Sequence, residues 1–179
     1  MVKKRIGILC GGCSAEHEVS LQSAKNIFDA IPPDKYEPVL AGIDKNGKWL
    51  LQKLNSGVSD FFLNADDPEK IRINPDSGTP AALLPGSGGV FAHIDGSGMK
   101  TSVDAVFPIL HGPQGEDGSV QGLLKISGVP FVGASVLGSA LCMDKEAMKR
   151  MLNSAGLPIA KYIALISIDQ APAFDLVVN

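Results

Sequence analysis

From Lys4 to Cys10 the chain is mostly apolar with little alternation, the pattern of a strand covered on both faces, and Gly11 and Gly12 then permit a tight turn. Leu21, Ala24, Phe28 and Ile31 recur at helical spacing, predicting a helix from about Ala15 to Ile31 that Pro32 and Pro33 stop. Tyr36 to Ile43 is the next strand, completing a βαβ unit. Asn46 and Gly47 give a hairpin-type turn into a short strand, Trp49 to Gln52.

From Lys53 to Ser102 the pattern weakens. Gly, Pro, Ser, Asn and Asp are dense there, with apolar pieces at Ala81 to Leu84 and Val90 to Ile94 beside the turn Asp95 to Gly98, so the segment reads as surface hairpins. Order returns with a buried strand at Asp104 to Leu110, the loop His111 to Gly118, a helix from Ser119 to Ser127 and a short strand at Val129 to Gly133. Two helical pieces follow, Ser135 to Cys142 and Asp144 to Ala155, the second with Ala147, Met148, Met151 and Leu152 on one face and Gly156 as its stop. After Pro158 a further strand is predicted at Ala160 to Ile166, and Asp169 to Val178 begins another element. The predicted class is α/β, a parallel sheet with helices on both faces. The best domain boundary falls between Ser139 and Met143, which gives domains 1–140 and 141–179.

Size and composition narrow the function classes. The 179 residues suffice for one good core and part of a second, and 45% apolar with 20% charged residues is a globular composition. The net charge of −3 is mixed in sign, with no basic stripe, which argues against a nucleic-acid partner. Three cations lie between Met1 and Arg5, but Ile6 to Cys10 is too short for a signal-peptide core or a membrane span, so a cytoplasmic protein with no membrane partner is expected. Cys10, Cys13 and Cys142 are an odd number, unlike a secreted disulfide framework.

Both glycine-rich runs, GGCSAEHEVS from Gly11 and HGPQGEDGSVQG from His111, follow an apolar strand and open into a helix, which brings polar groups to the carboxyl end of the sheet. A helix amino end attracts a carboxylate or phosphate while Glu16 can hold an ammonium, together suiting a zwitterion; alternatively Glu16 and Glu18 only complement the helix dipole. The second run carries His111, Glu116 and Asp117 among four glycines, either a ligand loop or an acidic βα connection. Cys10 to Cys13 has a redox spacing, but it is equally read as one buried cysteine and one loop cysteine, and no second paired motif completes a zinc site. Lys145 reads as a solvated charge, and His93 has no nameable partner. No G-x-G-x-x-G, P-loop, HExxH or GxSxG is present.

The segments ILCGGCSAEHEVSLQSAKNIFDAI, YEPVLAGIDKNGKW and VFPILHGPQGEDGSVQGLLKISGVPFVGASVLGSALCMDKEAMKRMLNSAGLPIAKYIAL resemble the amino-terminal half of the D-alanine:D-alanine ligase family, and HGPQGEDGSVQG matches that family's signature throughout. Cys13 departs from the pattern, standing where a cation or threonine is expected. The resemblance implies a Rossmann-like, pre-ATP-grasp domain over residues 1–140 and the start of an ATP-grasp domain over 141–179. It implies phosphorylation of the first D-alanine carboxylate by ATP with Mg2+, then attack on the acyl phosphate by the amine of the second, for peptidoglycan synthesis in the cytoplasm. Carried over residue by residue, Glu16 matches the anchor of the substrate ammonium, Val19 lies at the substrate methyl, His111 stands beside the same substrate, Glu116 orders the loop and Lys145 approaches the ATP phosphates; Glu16 and His111 are the catalytic candidates. The family's metal ligands have no match before Asn179, so no metal-binding residue is expected, and the chain alone is expected to be inactive. The full-length form is expected to be a homodimer. Two other readings use the same chain: a non-catalytic amino-acid-binding module and a CxxC redox protein. The second substrate (D-alanine, D-lactate or D-serine) is left open.

Overall fold

The computed structural model describes residues 2–53, 57–165, 167 and 169. The chain divides into two compact units, one running through Ala140 and the other beginning at Leu141.

The first unit is built on strands β1 (Lys4–Gly11), β2 (Tyr36–Ile43) and β3 (Trp49–Gln52), with helix α1 (His17–Ala30) crossing from β1 to β2. A short helix α2 (Val58–Phe61) runs into a small hairpin, β4 (Phe62–Leu63) and β5 (Arg72–Ile73). Strands β6 (Gly78–Leu83), β7 (Val90–His93), β8 (Lys100–Ser102) and β9 (Ala105–Pro108) follow, then helix α3 (Ser119–Ser127); helix α4 (Val136–Met143) contains the point of division. Seven strands form one sheet in the order β8-β7-β6-β3-β2-β1-β9. β1 pairs in parallel with β2 and β9, and every other pairing in that sheet is antiparallel.

The α/β class therefore stands, with the parallel pattern limited to the three strands around β1. Apart from β3, the antiparallel remainder comes from the segment that composition assigned to the surface. β6, β7 and β8 extend the main sheet, and Trp49 packs on Phe91 with ring centroids 6.4 Å apart. The two sheet faces alternate with the pleat. Ile8, Cys10 and Leu40 face α1, where they are buried with Leu21, Ala24 and Phe61; Leu9, Val39 and Ala41 face the other way, buried with Val120 and Leu124 of α3. Helices thus cover both faces, and each fully buried leucine contributes roughly 1.5–3 kcal/mol.

Two expected strands are corrected. Val129 to Gly133 forms only an isolated bridge, Val106 to Phe131, held by Val106 N–H to Pro130 O and Val132 N–H to Val106 O. Pro130 has no N–H to donate and Gly133 turns away at φ 131°, so pairing cannot propagate. Residues 160–165 form no strand: no described neighbour pairs with them, and an unpaired strand leaves its backbone groups unsatisfied. Residue 166 and all but residue 169 of the expected element at 169–178 lie outside the described residues.

In the second unit, helix α5 (Lys145–Ser154) starts at Asp144, whose side chain accepts from the Glu146 and Ala147 amides at 3.0 Å, and stops at Gly156 in the left-handed region. Its expected apolar face is not buried, and Met151 is 55% exposed. Lys149 stacks 4.8 Å over the Tyr162 ring.

Candidate functional site

The strand order reverses at β1: the chain goes to β2 on one side and later returns as β9 on the other, and such a switch point opens a crevice at the carboxyl ends of the strands. On the β2 side the ladder runs to the end, Gly11 beside Ile43, with Gly12 N–H donating to Ile43 O at 2.8 Å. Toward β9 it ends earlier, with Ile109 N–H donating to Leu9 O at 2.8 Å. Beyond it the buried Ser20 hydroxyl accepts from Gly11 N–H at 2.8 Å and donates to Ile109 O at 2.5 Å.

The first loop leaves β1 through Gly11 at φ 89°, where a side chain would overlap the Ile43 carbonyl oxygen. Only glycine meets both demands. Buried His17 places Nδ1 2.7 Å from Gly12 O and so fixes the loop from within the first turn of α1. Glu16 is the N-cap residue of α1; its amide donates to Ser14 Oγ at 3.2 Å and its side chain is exposed. Val19, on the first turn, is 54% exposed. The neighbouring Glu18 carboxylate pairs with Lys45 at 2.6 Å, and that bond holds it below the usual carboxylate range.

The second loop is held by its own carboxylates. Gly112, Gln114 and Gly118 all sit at positive φ. Glu116 Oε2 accepts from Gly112 N–H at 2.8 Å; Asp117 accepts from Gln114 N–H at 2.8 Å and Ser119 N–H at 2.9 Å. The Gln114 and Ser119 amides hold the Asp117 carboxyl below its ordinary range. Buried Gln121 donates from Nε2 to Gly115 O at 2.8 Å, tying the loop to α3.

The two loops touch. A Cβ on Gly112 would stand 3.3 Å from Ser14 Cβ and 3.5 Å from Glu16 Oε2, so the Glu16 carboxylate lies against the backbone next to His111. The His111 ring carries a buried Nε2 with no hydrogen-bond partner among the described residues. It also lines a cavity of about 320 Å³ with Gly11, Gly12, Trp49, Leu110 and Ser119. Glu16, Val19 and Glu116 lie outside that lining. Glu16 and His111 therefore meet through Gly112, while the cavity opens on the His111 side.

Lys145 belongs to the second unit, is exposed and donates from Nζ to Cys142 O at 2.8 Å. Among the described residues no three His, Cys, Asp or Glu side chains gather as a metal-binding group, so these residues do not by themselves fit Mg2+. No helix among them is long and apolar enough to cross a membrane. All three cysteines are free, and burial pushes the Cys10 thiol far up, opposite to the stabilised thiolate that the redox reading of Cys10 to Cys13 requires. His93 finds a partner after all: its Nε2 lies 2.9 Å from Thr101 Oγ1.

Ser20, His17 and Gln121, which hold the loops, and Trp49, which lines the cavity, were not singled out from sequence as site residues, and Asp117 was noted in its loop without a role. Ser20 carried a readable signal, a polar residue beside Leu21 on the helix stripe that had to be buried.

An α/β sheet with two loop-carried polar clusters at its switch point belongs to the class of open α/β folds in which ligands are received at the carboxyl ends of the strands. Residues 5–134 match the model of the D-ala D-ala ligase N-terminus, and the chain belongs to the D-alanine–D-alanine ligase family. It is 52% identical over 167 residues to D-alanine--D-alanine ligase A of Escherichia coli K12, covering 92% of this chain and 44% of that protein. Among solved structures it is similar to the D-alanine-D-alanine ligase of Coxiella burnetii, with TM-score 0.76, 37% identity and coverage of 89% of this chain and 43% of the other. It is also similar to the VanG D-Ala:D-Ser ligase of Enterococcus faecalis, with TM-score 0.74, 33% identity and coverage of 89% and 44%. The chain thus spans less than half the length of these relatives.

Proposed function

We propose that this chain forms the amino-terminal, substrate-binding part of an ATP-dependent D-alanine:D-alanine ligase acting in the cytoplasm in peptidoglycan synthesis. Residues 1–140 form the Rossmann-like domain that receives the first D-alanine, and 141–179 begin the ATP-grasp domain. ATP supplies the phosphoryl group that activates the first D-alanine carboxylate, and the second D-alanine displaces it through its amine. This chain's residues bind and orient. Glu16 holds the substrate ammonium by a charge-assisted hydrogen bond, Val19 packs on its methyl, and His111 presents its unpaired Nε2 to the same molecule. Glu116 supports them by holding Gly112 in place, and Lys145 approaches the ATP phosphates.

The observation that carries this reading is the approach of the Glu16 carboxylate to Gly112, beside an imidazole nitrogen that is buried and unpartnered. An anion and a spare hydrogen-bonding nitrogen at adjoining positions suit a small zwitterion. Mg2+ and the remaining ATP contacts call for residues that the described part of the chain does not gather, and in this reading turnover requires a catalytic half and the 179 residues alone are inactive. With that half the protein is a homodimer.

The test is a chimera joining this chain to the remaining carboxyl-terminal part of the Escherichia coli ligase A, assayed for dipeptide formed from D-alanine and ATP. The chimera is expected to turn over and the isolated chain is not. A folded chimera that hydrolyses ATP without forming the dipeptide defeats the substrate assignment.

A further inference from the structure

In a regular parallel ladder, Ile109 would bond to β1 twice, donating its N–H to Leu9 O and receiving the Gly11 N–H on its own carbonyl. The first bond is made, at 2.8 Å. The second is replaced: Gly11 N–H donates to Ser20 Oγ at 2.8 Å, and that hydroxyl donates onward to Ile109 O at 2.5 Å. One oxygen from α1 is spliced into the rung. Ser20 is fully buried, so these two backbone groups find their partner in its hydroxyl while the strand ends stand a hydroxyl's width apart. The separation falls where it has consequences, because Gly11 leads into the loop bearing Glu16 and Ile109 leads, two residues on, to His111.

We infer that Ser20 is a positioning residue: its hydroxyl holds the ends of β1 and β9 apart and so sets the spacing between the Glu16 and His111 sides of the amino-acid site. The inference rests on the substrate reading proposed above. An ordinary helix-to-sheet tie would support stability alone. A spacer also fixes how well a small substrate is gripped, and without it the displaced rung can close directly.

Two measurements on Ser20→Ala test this. In the isotope-labelled 179-residue chain, scalar coupling across a hydrogen bond between Gly11 N and Ile109 carbonyl carbon is expected to be absent with Ser20 and present in S20A, where the rung closes. In the chimera, S20A is expected to raise KM for D-alanine at least tenfold while KM for ATP stays within twofold, and Ser20→Thr, which keeps the hydroxyl, restores the D-alanine value. A D-alanine KM within twofold of the parent, an equal rise in both KM values, or no rescue by S20T overturns the inference. Should S20A fail to fold, Ser20→Cys takes its place: its sulfur is larger than the oxygen and makes longer contacts, so it widens the gap, the D-alanine KM is again expected to rise with that for ATP unchanged, and an unchanged D-alanine KM overturns the inference equally. If the unsubstituted chimera forms no dipeptide, the substrate reading fails by itself, and a missing coupling in S20A then decides against the spacer.

Discussion

The Glu16 carboxylate reaches the backbone of the opposite loop at Gly112, and its value to a ligand depends on being charged there. Glu16→Gln keeps the shape and removes the charge; because a charge-assisted hydrogen bond is worth roughly 1.5–3 kcal/mol, KM for the first D-alanine in the chimera is expected to rise about tenfold to a hundredfold. An unchanged KM would take Glu16 out of the site. Asp117 makes a prediction about pH. Its folded pKa lies below the unfolded value, because the Gln114 and Ser119 amides favour the carboxylate. Its contribution to stability is therefore full above the unfolded pKa of about 3.9 and is lost as pH falls through the lower folded one. Amide exchange at Gln114 and Ser119 should accelerate over that acid range, and Asp117→Asn should show fast exchange already at neutral pH. Equal protection in both proteins would mean that the loop does not depend on this carboxylate. Glu16 and His111 stood out as candidates because polar residues in glycine-rich loops draw attention and because both match positions of the ligase family. Ser20 showed only as a polar residue on the apolar stripe of α1, and His17 not at all, because their work is done through backbone atoms that only the folded chain brings within reach.

Among the elements, the β1-α1-β2 unit and the β9-loop-α3 unit were legible because their apolar periodicity is strong. The β4-β5 hairpin was not. Phe61, Phe62, Ile71 and Ile73 are buried against the α1 side of the sheet, yet the polar residues between them disguise the pattern. The side chain of Ile73 comes so near Gly42 that a Cβ there would stand 2.7 Å from Ile73 Cδ1. The hairpin is thus core, and Phe62→Ala should cost about 3–5 kcal/mol in a denaturant titration, as a buried aromatic does. A loss under 1 kcal/mol would return the segment to the surface role that its composition suggests. Val129 to Gly133 failed as a strand for the opposite reason: its apolar residues were conspicuous, but proline and glycine capped what pairing could grow.

For the whole molecule, the division after Ala140 coincides with a change in how residues are covered. The first unit owns both apolar clusters, whereas Leu157, Ile163 and Leu165 of the second are 52%, 54% and 46% exposed. Lys145 lies in that second unit, where the geometry of the described residues gives it only the Cys142 carbonyl. Its role is settled in the chimera: Lys145→Ala is expected to raise KM for ATP with little change for D-alanine, and an unaltered ATP dependence would leave it a solvated charge.

The wide separation of β1 from β9 along the chain has a kinetic consequence. Arg5 and Asp104, joined across that pairing, are 99 positions apart, whereas β6, β7 and β8 are successive hairpins. Hairpins zip within microseconds, while closing so long a loop bears its entropic penalty before any contact repays it. The two glycine loops can face one another only once that late closure is made, so the crevice between them is expected to be among the last features to mature as the polypeptide folds.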